Sequence, residues 1–391
     1  MKINFPNYAE DCIRTLESSG FEAYFVGGCV RDALLGRDFF DIDITTNALP
    51  EQIEAIFPKT IPTGKKHGTI TVIIDEHLIE VTTFRSESGY DDLRHPLRVV
   101  FQNEIESDLM RRDFTINALA YNSKAGLIDL FGGQSDLSLG IIRCIGNPAD
   151  RFSEDSLRIM RAYRFASVLG FKIDKDTEDA TYSCGEGLSF ISGERVLTEI
   201  KKLSLGKNPN VISKFLSSNY LKRFGIGQPK TDLSKVLTAD NDIKAAVFIT
   251  CTDYDSKLLK DVLKINNLLL CQISNIEKIK SFNIPNSKPN IKQQLSILGE
   301  ENISLYLSFI NTIYTSKKVL EITKYVNEII EQNEPFCINH LAINGHDLLN
   351  LGVQDIKIGG ILSALLSIVI ENPSANEKNN LLSIAKTIIN Q

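Results

Sequence analysis

The spacing of hydrophobic positions in the N-terminal part of the chain predicts short helices around a buried strand. Residues 7–19 repeat apolar side chains along one side of an amphipathic helix, and residues 24–26 form an apolar run typical of a buried strand. Residues 30–35 follow as a short helix. A further helix is predicted over residues 49–57, beginning at Pro50, because proline is favoured in a first helical turn.

The next stretch alternates apolar and polar positions with the period of a strand. Residues 67–74 carry the alternation, residues 75–77 form a polar turn, and residues 78–84 return as a second strand. From Asn147 onward the pattern becomes helical. The chain is therefore predicted to be an α+β protein, with its strands near the N-terminus.

One later helix carries charged groups at regular spacing. It is predicted to begin at Ser153, a favoured N-cap residue that is followed by acids in the first turn. Groups three residues apart are neighbours on a helix, and four groups follow this spacing: Asp155, Arg158, Arg161 and Arg164. Taken alone, this segment favours a surface helix with internal ion pairs.

Charge is distributed unevenly along the 391 residues, whose net charge is −6. Residues 1–140 hold 13 Lys+Arg and 22 Asp+Glu, whereas residues 141–391 hold 30 and 27. If the protein binds RNA, we expect the RNA backbone to lie mainly on the later part, where basic groups are in excess.

Cysteine usage and hydropathy predict the compartment. The seven cysteines are scattered and form no C-x-x-C pair, which argues against a disulfide framework and a zinc site and favours reducing surroundings. The longest uncharged apolar run, residues 358–370, is too short to cross a bilayer. Residues 1–20 carry no apolar segment of a secretory leader. We expect a cytoplasmic protein with no membrane partner and no stable protein partner.

The candidate chemistry lies between residues 24 and 46. Gly27 and Gly28 follow the buried strand at a point where a backbone turn can approach a phosphate, and Arg31 can add charge-assisted hydrogen bonds. Asp41 and Asp43 alternate with isoleucines and are predicted to share one face of a strand. Two carboxylates at that distance repel unless a cation such as Mg2+ lies between them. The alternative for the acid pair is a solvated strand edge.

These residues resemble a known family. Residues 27–32 (GGCVRD) and 41–46 (DIDITT) are similar to the nucleotidyltransferase core of the class II tRNA CCA-adding enzymes and their bacterial poly(A) polymerase relatives. Further motifs of that family follow in order: residues 111–118 (RRDFTINA), 127–133 (LIDLFGG), 154–158 (EDSLR), 191–199 (ISGERVLTE) and 343–349 (INGHDLL). The resemblance is strongest over residues 20–205 and weakest over residues 206–335.

The resemblance implies a fold and a division into domains. The fold is an N-terminal polymerase-beta-like nucleotidyltransferase head with a small mixed sheet, followed by helical parts. The implied domains are a head at 1–140, a neck for nucleobase recognition at 141–205, and a body and tail for tRNA binding at 206–335 and 336–391.

The resemblance also implies roles for the residues of the head. Asp41 and Asp43 hold Mg2+ as catalytic acids, and Glu80, on the predicted second hairpin strand, is the candidate for a third carboxylate. The alternative for Glu80 is a solvent-facing strand residue. Nucleotide binding in the head is implied for Gly28, Arg31 and Arg112.

In the neck, the family's E-D-x-x-R motif implies nucleobase recognition by Asp155 and Arg158, with supporting contacts from Arg161 and Arg164. Cytosine and adenine each carry an exocyclic amine beside an unprotonated ring nitrogen. An aspartate can accept from the amine while an arginine donates to the ring nitrogen. Uracil and guanine present the opposite pattern, so a site built on these two bonds rejects them.

Residues 85–96 (RSESGYDDLRHP) are polar and predict a mobile loop. They resemble the flexible loop of CCA-adding enzymes, which is thought to help switch specificity from C to A. The alternative is an ordinary connecting loop.

The implied activity is template-independent addition of CCA to the 3′ end of tRNA from CTP and ATP, with release of pyrophosphate. A poly(A) polymerase and an enzyme that adds only A or only CC are the nearest alternatives. The loop at residues 85–96 counts against a poly(A) polymerase and against CC-only addition, but not against A-only addition. From a different class, a non-catalytic RNA-binding protein remains open.

Overall fold

The computed structural model describes residues 3–39, 41–90 and 96–389. The chain forms two compact units. The first comprises Met1–Gln228 and Lys257–Lys264, and the second comprises Pro229–Ser256 and Ile265–Gln391. The division into head, neck, body and tail stays a prediction.

The strands lie mainly in the first unit. Their bounds are β1 (Ala23–Val26), β2 (Asp43–Thr46), β3 (Thr60–Gly64), β4 (Thr69–Ile74), β5 (His77–Thr83), β6 (Arg85–Tyr90), β7 (Pro96–Phe101), β8 (Leu119–Asn122), β9 (Gly126–Asp129), β10 (Ile141–Ile142), β11 (Lys172–Ile173), β12 (Ile226–Pro229) and β13 (Thr252–Tyr254). Within the described residues, seven of them form one sheet in the order β3-β4-β5-β2-β1-β8-β9. The sheet is mixed, because β2 pairs parallel with β5 while the other neighbours run antiparallel.

The predicted hairpin is confirmed, and its position in the sheet matters for the site. β4 and β5 pair around a turn in which Asp75 and Glu76 have positive φ. The parallel pairing of β2 with β5 then sets Asp43 directly opposite Glu80. Asp41 lies just before β2, so only Asp43 of the acid pair is on the strand.

The prediction of a loop over residues 85–96 is wrong for its first half. Arg85–Tyr90 forms β6, which pairs antiparallel with β7 from Ser86 opposite Val100 to Tyr90 opposite Pro96. The strand was missed because its own sequence is polar. The β-branched residues that favour a strand lie in its partner, Pro96–Phe101. Residues 91–95, the centre of the predicted loop, lie outside the described residues.

Helices fill the rest of the chain, as predicted. Their bounds are α1 (Asn7–Ser18), α2 (Gly28–Leu34), α3 (Pro50–Ile56), α4 (Ile105–Met110), α5 (Gly133–Leu139), α6 (Pro148–Glu154), α7 (Leu157–Leu169), α8 (Lys175–Ser183), α9 (Gly193–Ser204), α10 (Ser213–Leu216), α11 (Lys244–Thr250), α12 (Ser256–Asp261), α13 (Asn267–Ser281), α14 (Lys288–Leu298), α15 (Ile303–Ile310), α16 (Ser316–Glu331), α17 (Gly345–Leu349), α18 (Asp355–Glu371) and α19 (Lys378–Ile389). None of the helices in the described residues combines the length and apolar character needed to cross a membrane.

The prediction of one helix beginning at Ser153 is wrong. Ser153 lies inside α6, which ends at Glu154, and Asp155 adopts an extended backbone with φ −143° and ψ 101° before α7 begins. Asp155 accepts a hydrogen bond from the Leu157 backbone N–H at 3.0 Å. Asp155 therefore lies just before α7. The other three charged groups of the predicted series, Arg158, Arg161 and Arg164, lie on α7 itself.

In the second unit, a buried lysine depends on one glutamate. Lys292 of α14 is about 1 % exposed, and its Nζ pairs with Glu334. Lys288 Nζ lies 2.9 Å from another oxygen of the same carboxylate. Burial raises the pKa of Glu334, but hydrogen bonds and charge from the two lysines outweigh it and lower the pKa below its ordinary value.

We expect Glu334→Gln to destabilise the second unit by about 3 kcal/mol, because a buried ammonium is left without its counter-charge. Urea unfolding followed by circular dichroism measures the loss. Glu331→Gln is the matched control, because Glu331 is an exposed acid at the end of α16. Equal midpoints for the two variants would contradict the ion-pair assignment.

Candidate active site

A cavity of about 600 Å3 in the first unit brings together most of the residues singled out from the sequence. A volume of this size suits a small-molecule ligand. Nine of the ten predicted site residues line it: Gly28, Arg31, Asp41, Asp43, Arg112, Asp155, Arg158, Arg161 and Arg164. Glu80, the tenth, does not line the cavity but is the neighbour of Asp43 across the sheet.

Acidic groups meet at the edge of β2. Burial raises the pKa of Asp43, Arg112 lowers it, and the charges of Glu80 and Asp41 raise it again, so that the pKa lies above its ordinary value. The carboxylates therefore repel one another at a partly buried position. A positive charge placed among them would stabilise the ionised form of Asp43.

This arrangement fits a divalent metal ion in its donor chemistry. Asp41 and Asp43 supply the carboxylate oxygens that hard cations prefer. Burial, and then the neighbouring carboxylates, raise the pKa of Asp43, so a cation bound here would favour its ionised form. Within the described residues, no group of three or more His, Cys, Asp or Glu side chains is arranged to hold a metal ion. The two aspartates are thus the protein ligands that the cavity offers at this edge.

A glycine turn lies against the acids. Gly27 has φ 78°, a left-handed conformation that favours glycine, and it immediately precedes α2. A Cβ at Gly27 would lie 2.9 Å from Arg112 Nη1. The turn therefore needs glycine both for its backbone and for the close approach of Arg112.

Arg31, on α2, is buried and held on two sides. Its Nη1 donates to Asn117 Oδ1 at 2.6 Å, while Nε and Nη2 donate to the two oxygens of Asp32 at 3.0 and 2.6 Å. These bonds fix the guanidinium plane at the cavity wall. Arg31 thus lies beside the glycine turn, as the phosphate-cradle interpretation requires.

The arginine pair after α4 shares one buried acid. Asp108 is fully buried and accepts from Arg111 Nη2 at 2.7 Å and from Arg112 Nη2 at 3.2 Å. Burial raises the pKa of Asp108, but the two guanidinium charges outweigh it and lower the pKa. Arg112 Nε is buried and has no hydrogen-bond partner in the described residues. Arg112 thus keeps donor capacity at the cavity wall.

Asp113 joins the arginine-pair motif to α7. Its Oδ2 accepts from Arg161 Nε at 2.7 Å, with Arg161 Nη2 at 2.6 Å, and its Oδ1 accepts from Asn117 Nδ2 at 3.0 Å. Burial raises the pKa of Asp113, but Arg161, Asn117 and Arg158 together lower it to about 2. Since Asn117 also binds Arg31, a continuous chain of polar contacts runs from α7 to α2.

Arg164 and Phe165 complete the α7 side of the cavity. The Arg164 guanidinium lies 3.6 Å from the centre of the Phe165 ring and donates to Glu199 of α9 at 2.9 Å. Arg31 and Arg161 approach the same ring at 5.1 and 5.4 Å. The ring face attracts cations, so Phe165 helps to hold three guanidinium groups close together.

The two predicted base-reading residues each have a separate partner. Arg158 Nη1 donates to Glu154 Oε2 at 2.6 Å, and its Nη2 donates to the Arg111 carbonyl at 3.1 Å. Asp155 Oδ2 accepts from Arg195 Nη2 at 2.8 Å. Both groups face the cavity from the entrance of α7.

Several residues that line the cavity, or that hold its arginines, were missed from the sequence. Asp113 and Asn117 lie inside the RRDFTINA motif, which was interpreted through its arginines alone. Arg195 and Glu199 lie in the ISGERVLTE segment, which was interpreted as a structural brace. The signal available was an unmatched acid or arginine in each motif, because a buried charge requires a partner of opposite sign.

The Asp113 pKa predicts a pH-dependent loss of stability. Because the folded pKa lies below the ordinary value, the stabilising free energy is full above about pH 5 and is lost as the pH falls toward 2, on the order of 2 kcal/mol in total. Asp113→Asn removes this titration and leaves Arg161 unpaired. We expect the variant to be less stable than the wild type at pH 7, by a difference that narrows between pH 5 and pH 3.

Urea midpoints across that pH range measure the difference. Asp179→Asn is the control, because Asp179 is an exposed acid of α8 paired only with the exposed Lys175 within the described residues. A difference between wild type and Asp113→Asn that stays constant with pH would refute the assignment.

Comparisons with known proteins place this geometry in a family. A model described as the poly A polymerase head domain matches residues 23–143. A CCA-adding enzyme of Ligilactobacillus salivarius is 38% identical over 99% of this chain and 98% of that protein. One from Staphylococcus epidermidis is 38% identical over 88% of this chain and 87% of that protein.

Solved structures agree with the sequence comparison. The structure of the Bacillus stearothermophilus CCA-adding enzyme in complex with CTP superposes with a TM-score of 0.75 at 29% identity, over 98% of this chain and 97% of that one. A Thermotoga maritima CCA-adding enzyme complexed with tRNA shares the fold, with a TM-score of 0.69 at 22% identity over 100% of both chains. The polymerase-type head and helical remainder predicted from the sequence are thereby confirmed. The chain belongs to the CCA-adding enzyme family of tRNA nucleotidyltransferases, a family that generally uses a divalent metal.

Proposed function

We propose that this protein adds CCA to the 3′ end of tRNA, using CTP and ATP and releasing pyrophosphate. One observation carries the proposal: a single cavity holds an acid pair, a glycine turn with arginines, and an aspartate and an arginine that face the same space. Those three parts correspond to metal binding, triphosphate binding and nucleobase recognition.

Nucleobase recognition is assigned to the entrance of α7. Asp155 can accept from the exocyclic amine of cytosine or adenine, and Arg158 can donate to the adjacent unprotonated ring nitrogen. Both side chains are largely buried and anchored by partners on other segments, which limits the conformations they can adopt. Such a site discriminates strongly, because a wrong base leaves its polar groups unpaired.

Phosphate binding is assigned to the glycine turn before α2 and the arginines around it. Arg112 retains an unpaired buried Nε, and Gly27 permits its close approach to the turn before α2. Arg31 stands beside that turn with a fixed guanidinium plane. Arg161 and Arg164 add positive charge from α7 toward the same cavity.

We propose Mg2+ as the metal, held by Asp41 and Asp43, with Glu80 adding further negative charge from the neighbouring strand. When bound, Mg2+ promotes ionisation of the attacking 3′-hydroxyl and neutralises charge on the leaving pyrophosphate. Asp41 and Asp43 would hold the ion at the edge of the cavity, and Arg112 balances part of the charge of Asp43.

The structure allows the proposed RNA-binding surface to be assigned to a shorter segment than the sequence did. Residues 141–228 hold 14 Lys+Arg and 10 Asp+Glu, whereas the second unit holds 13 and 16. Six exposed cations between 201 and 228 have no ion-pair partner in the described part of the chain: Lys201, Lys202, Lys207, Lys214, Lys222 and Arg223. We assign contact with the RNA backbone chiefly to this segment.

We also propose a cytoplasmic location, supported by the seven cysteines, all of which are free thiols.

The activity is tested with three transcribed tRNAs that end at the discriminator base, at C, or at CC, each offered CTP, ATP or both. The proposal predicts completion of CCA on all three when both nucleotides are present. Extension with ATP beyond one residue identifies a poly(A) polymerase, and activity only on the third or only on the first two identifies A-only or CC-only addition. If none of the three tRNAs is extended, the result favours a non-catalytic RNA-binding protein.

Replacing an acid of the metal pair should abolish both halves of the reaction. Asp43→Asn is expected to reduce addition of C and of A by at least about a thousandfold, because the proposed metal site of Asp41 and Asp43 would serve both steps. Single-turnover rates with CTP and with ATP measure the loss, and circular dichroism checks that the variant folds.

Asp75→Asn is the matched control, because Asp75 lies in the exposed β4–β5 turn at φ 46°, a conformation that asparagine tolerates. Its rates should equal those of the wild type. Near-normal turnover by Asp43→Asn would contradict the proposal that Asp43 binds the catalytic metal ion.

Replacing the base-reading acid should change selectivity rather than metal use. Asp155→Ala removes the acceptor for the exocyclic amine, so we expect kcat/KM for CTP and ATP to fall by about tenfold to a hundredfold relative to UTP and GTP. The dependence on Mg2+ should be unchanged, because the acid pair lies at the start of β2 and not at the entrance of α7.

Asp155→Asn serves as a second variant, because its amide oxygen can still cap α7 at Leu157. If Asp155→Ala lowers all four efficiencies in proportion while Asp155→Asn restores them, Asp155 is a capping residue and does not read the base.

A further inference from the structure

The Asp155 carboxylate is anchored at both of its oxygens. Oδ1 accepts from the Leu157 backbone N–H at 3.0 Å, and Oδ2 accepts from Arg195 Nη2 at 2.8 Å. A carboxylate has about four acceptor positions, so two anchors fix its plane and leave capacity for a ligand. The second anchor comes from α9, forty positions along the chain.

The Arg195 contact differs from the Arg111–Asp108 pair and resembles that of Arg112, whose Nε is also buried without a partner in the described residues. Arg111 donates to Asp108 through both Nε and Nη2, which uses the guanidinium as a fork. Arg195 donates to Asp155 through Nη2, while its Nη1 is buried with no hydrogen-bond partner in the described residues. An unsatisfied buried donor costs free energy, so this pair is not arranged to maximise stability.

The position of Arg195 is set by tight packing at the start of α9. A Cβ on Gly193 would lie 1.8 Å from the carbonyl oxygen of Val262, so the helix start lies directly against that segment. Arg195 follows two residues later, with its side chain only about 23 % exposed. Its guanidinium therefore approaches Asp155 from a well-fixed backbone.

The hydrogen bond from Arg195 to Asp155 also helps to keep Asp155 and Arg158 from pairing with each other. Asp155 and Arg158 are three residues apart and carry opposite charges, which favours a direct ion pair between them. Such a pair would occupy the groups that the base needs. Arg195 draws Asp155 toward α9, and Glu154 binds Arg158 at 2.6 Å, so each group has a partner other than its neighbour.

We propose that Arg195 is a specificity-determining positioning residue, which acts by holding Asp155 in the orientation that accepts the exocyclic amine of C and A. This inference rests on the proposed role of Asp155 in base reading. It assigns to the ISGERVLTE segment a part in nucleotide selection in addition to bracing the helices.

The test measures nucleotide selectivity in two ways: kcat/KM for CTP, ATP, UTP and GTP on tRNA ending at the discriminator base or at CC, and dissociation constants for CTP and UTP without tRNA. Arg195→Gln should lower the CTP-to-UTP preference about tenfold in both measurements. Arg195→Lys, which keeps the charge, should recover part of it. Arg143→Gln is the control, because Arg143 pairs with Asp136 and Asp174 away from the cavity lining.

A proportional fall for all four nucleotides, or unchanged preference in Arg195→Gln and Arg195→Lys, would overturn the inference and leave Arg195 a structural residue. Failure of the proposed function has a different result, because wild-type protein would then show no preference for CTP over UTP. Thermal melting of each variant shows whether it folds. If Arg195→Gln does not fold, the nucleotide preference of Arg195→Lys tests the proposal.

Discussion

The cavity depends on the ion pair between the buried Asp113 and the partly exposed Arg161. Asp113 follows the arginine pair at residues 111–112, and Arg161 lies on α7. The pair therefore connects the acid-bearing sheet region to α7, beside the residues proposed to read the base. Losing one partner leaves the other charge uncompensated, although water offsets part of the cost at Arg161, which is about one-third exposed. Although burial raises the pKa of Asp113, Arg161 and the other partners lower it to about 2, so the carboxylate stays ionised and paired at neutral pH.

The same principle explains how seven arginines can line one cavity without driving it apart: Arg31, Arg111, Arg112, Arg158, Arg161, Arg164 and Arg195. Each is paired with an acid, among them Asp108, Glu154 and Glu199. The acids neutralise the arginines in the unliganded protein and fix their orientation. Under the proposed function, a triphosphate would meet donors that are already positioned, which would reduce the ordering cost of binding.

Local patterns predicted the elements that hold the site, but not the contacts between them. Asp43 and Glu80 were each identified, yet their adjacency follows from the parallel pairing of β2 with β5, a nonlocal register. The break at Asp155 was missed because good helix residues flank it, and the pairing with Arg195 that accompanies the extended backbone is a tertiary contact. The β6 strand was missed because the identity of its partner decides its structure.

The central claim is that side chains of one cavity select C and A without a nucleic-acid template. It is tested most directly by offering tRNA that ends at the discriminator base all four nucleoside triphosphates at equal concentration and sequencing the new 3′ ends. The account predicts ends of C, CC and CCA, with uridine and guanosine at the level of background. Incorporation of uridine or guanosine at rates comparable to cytidine and adenosine would contradict it.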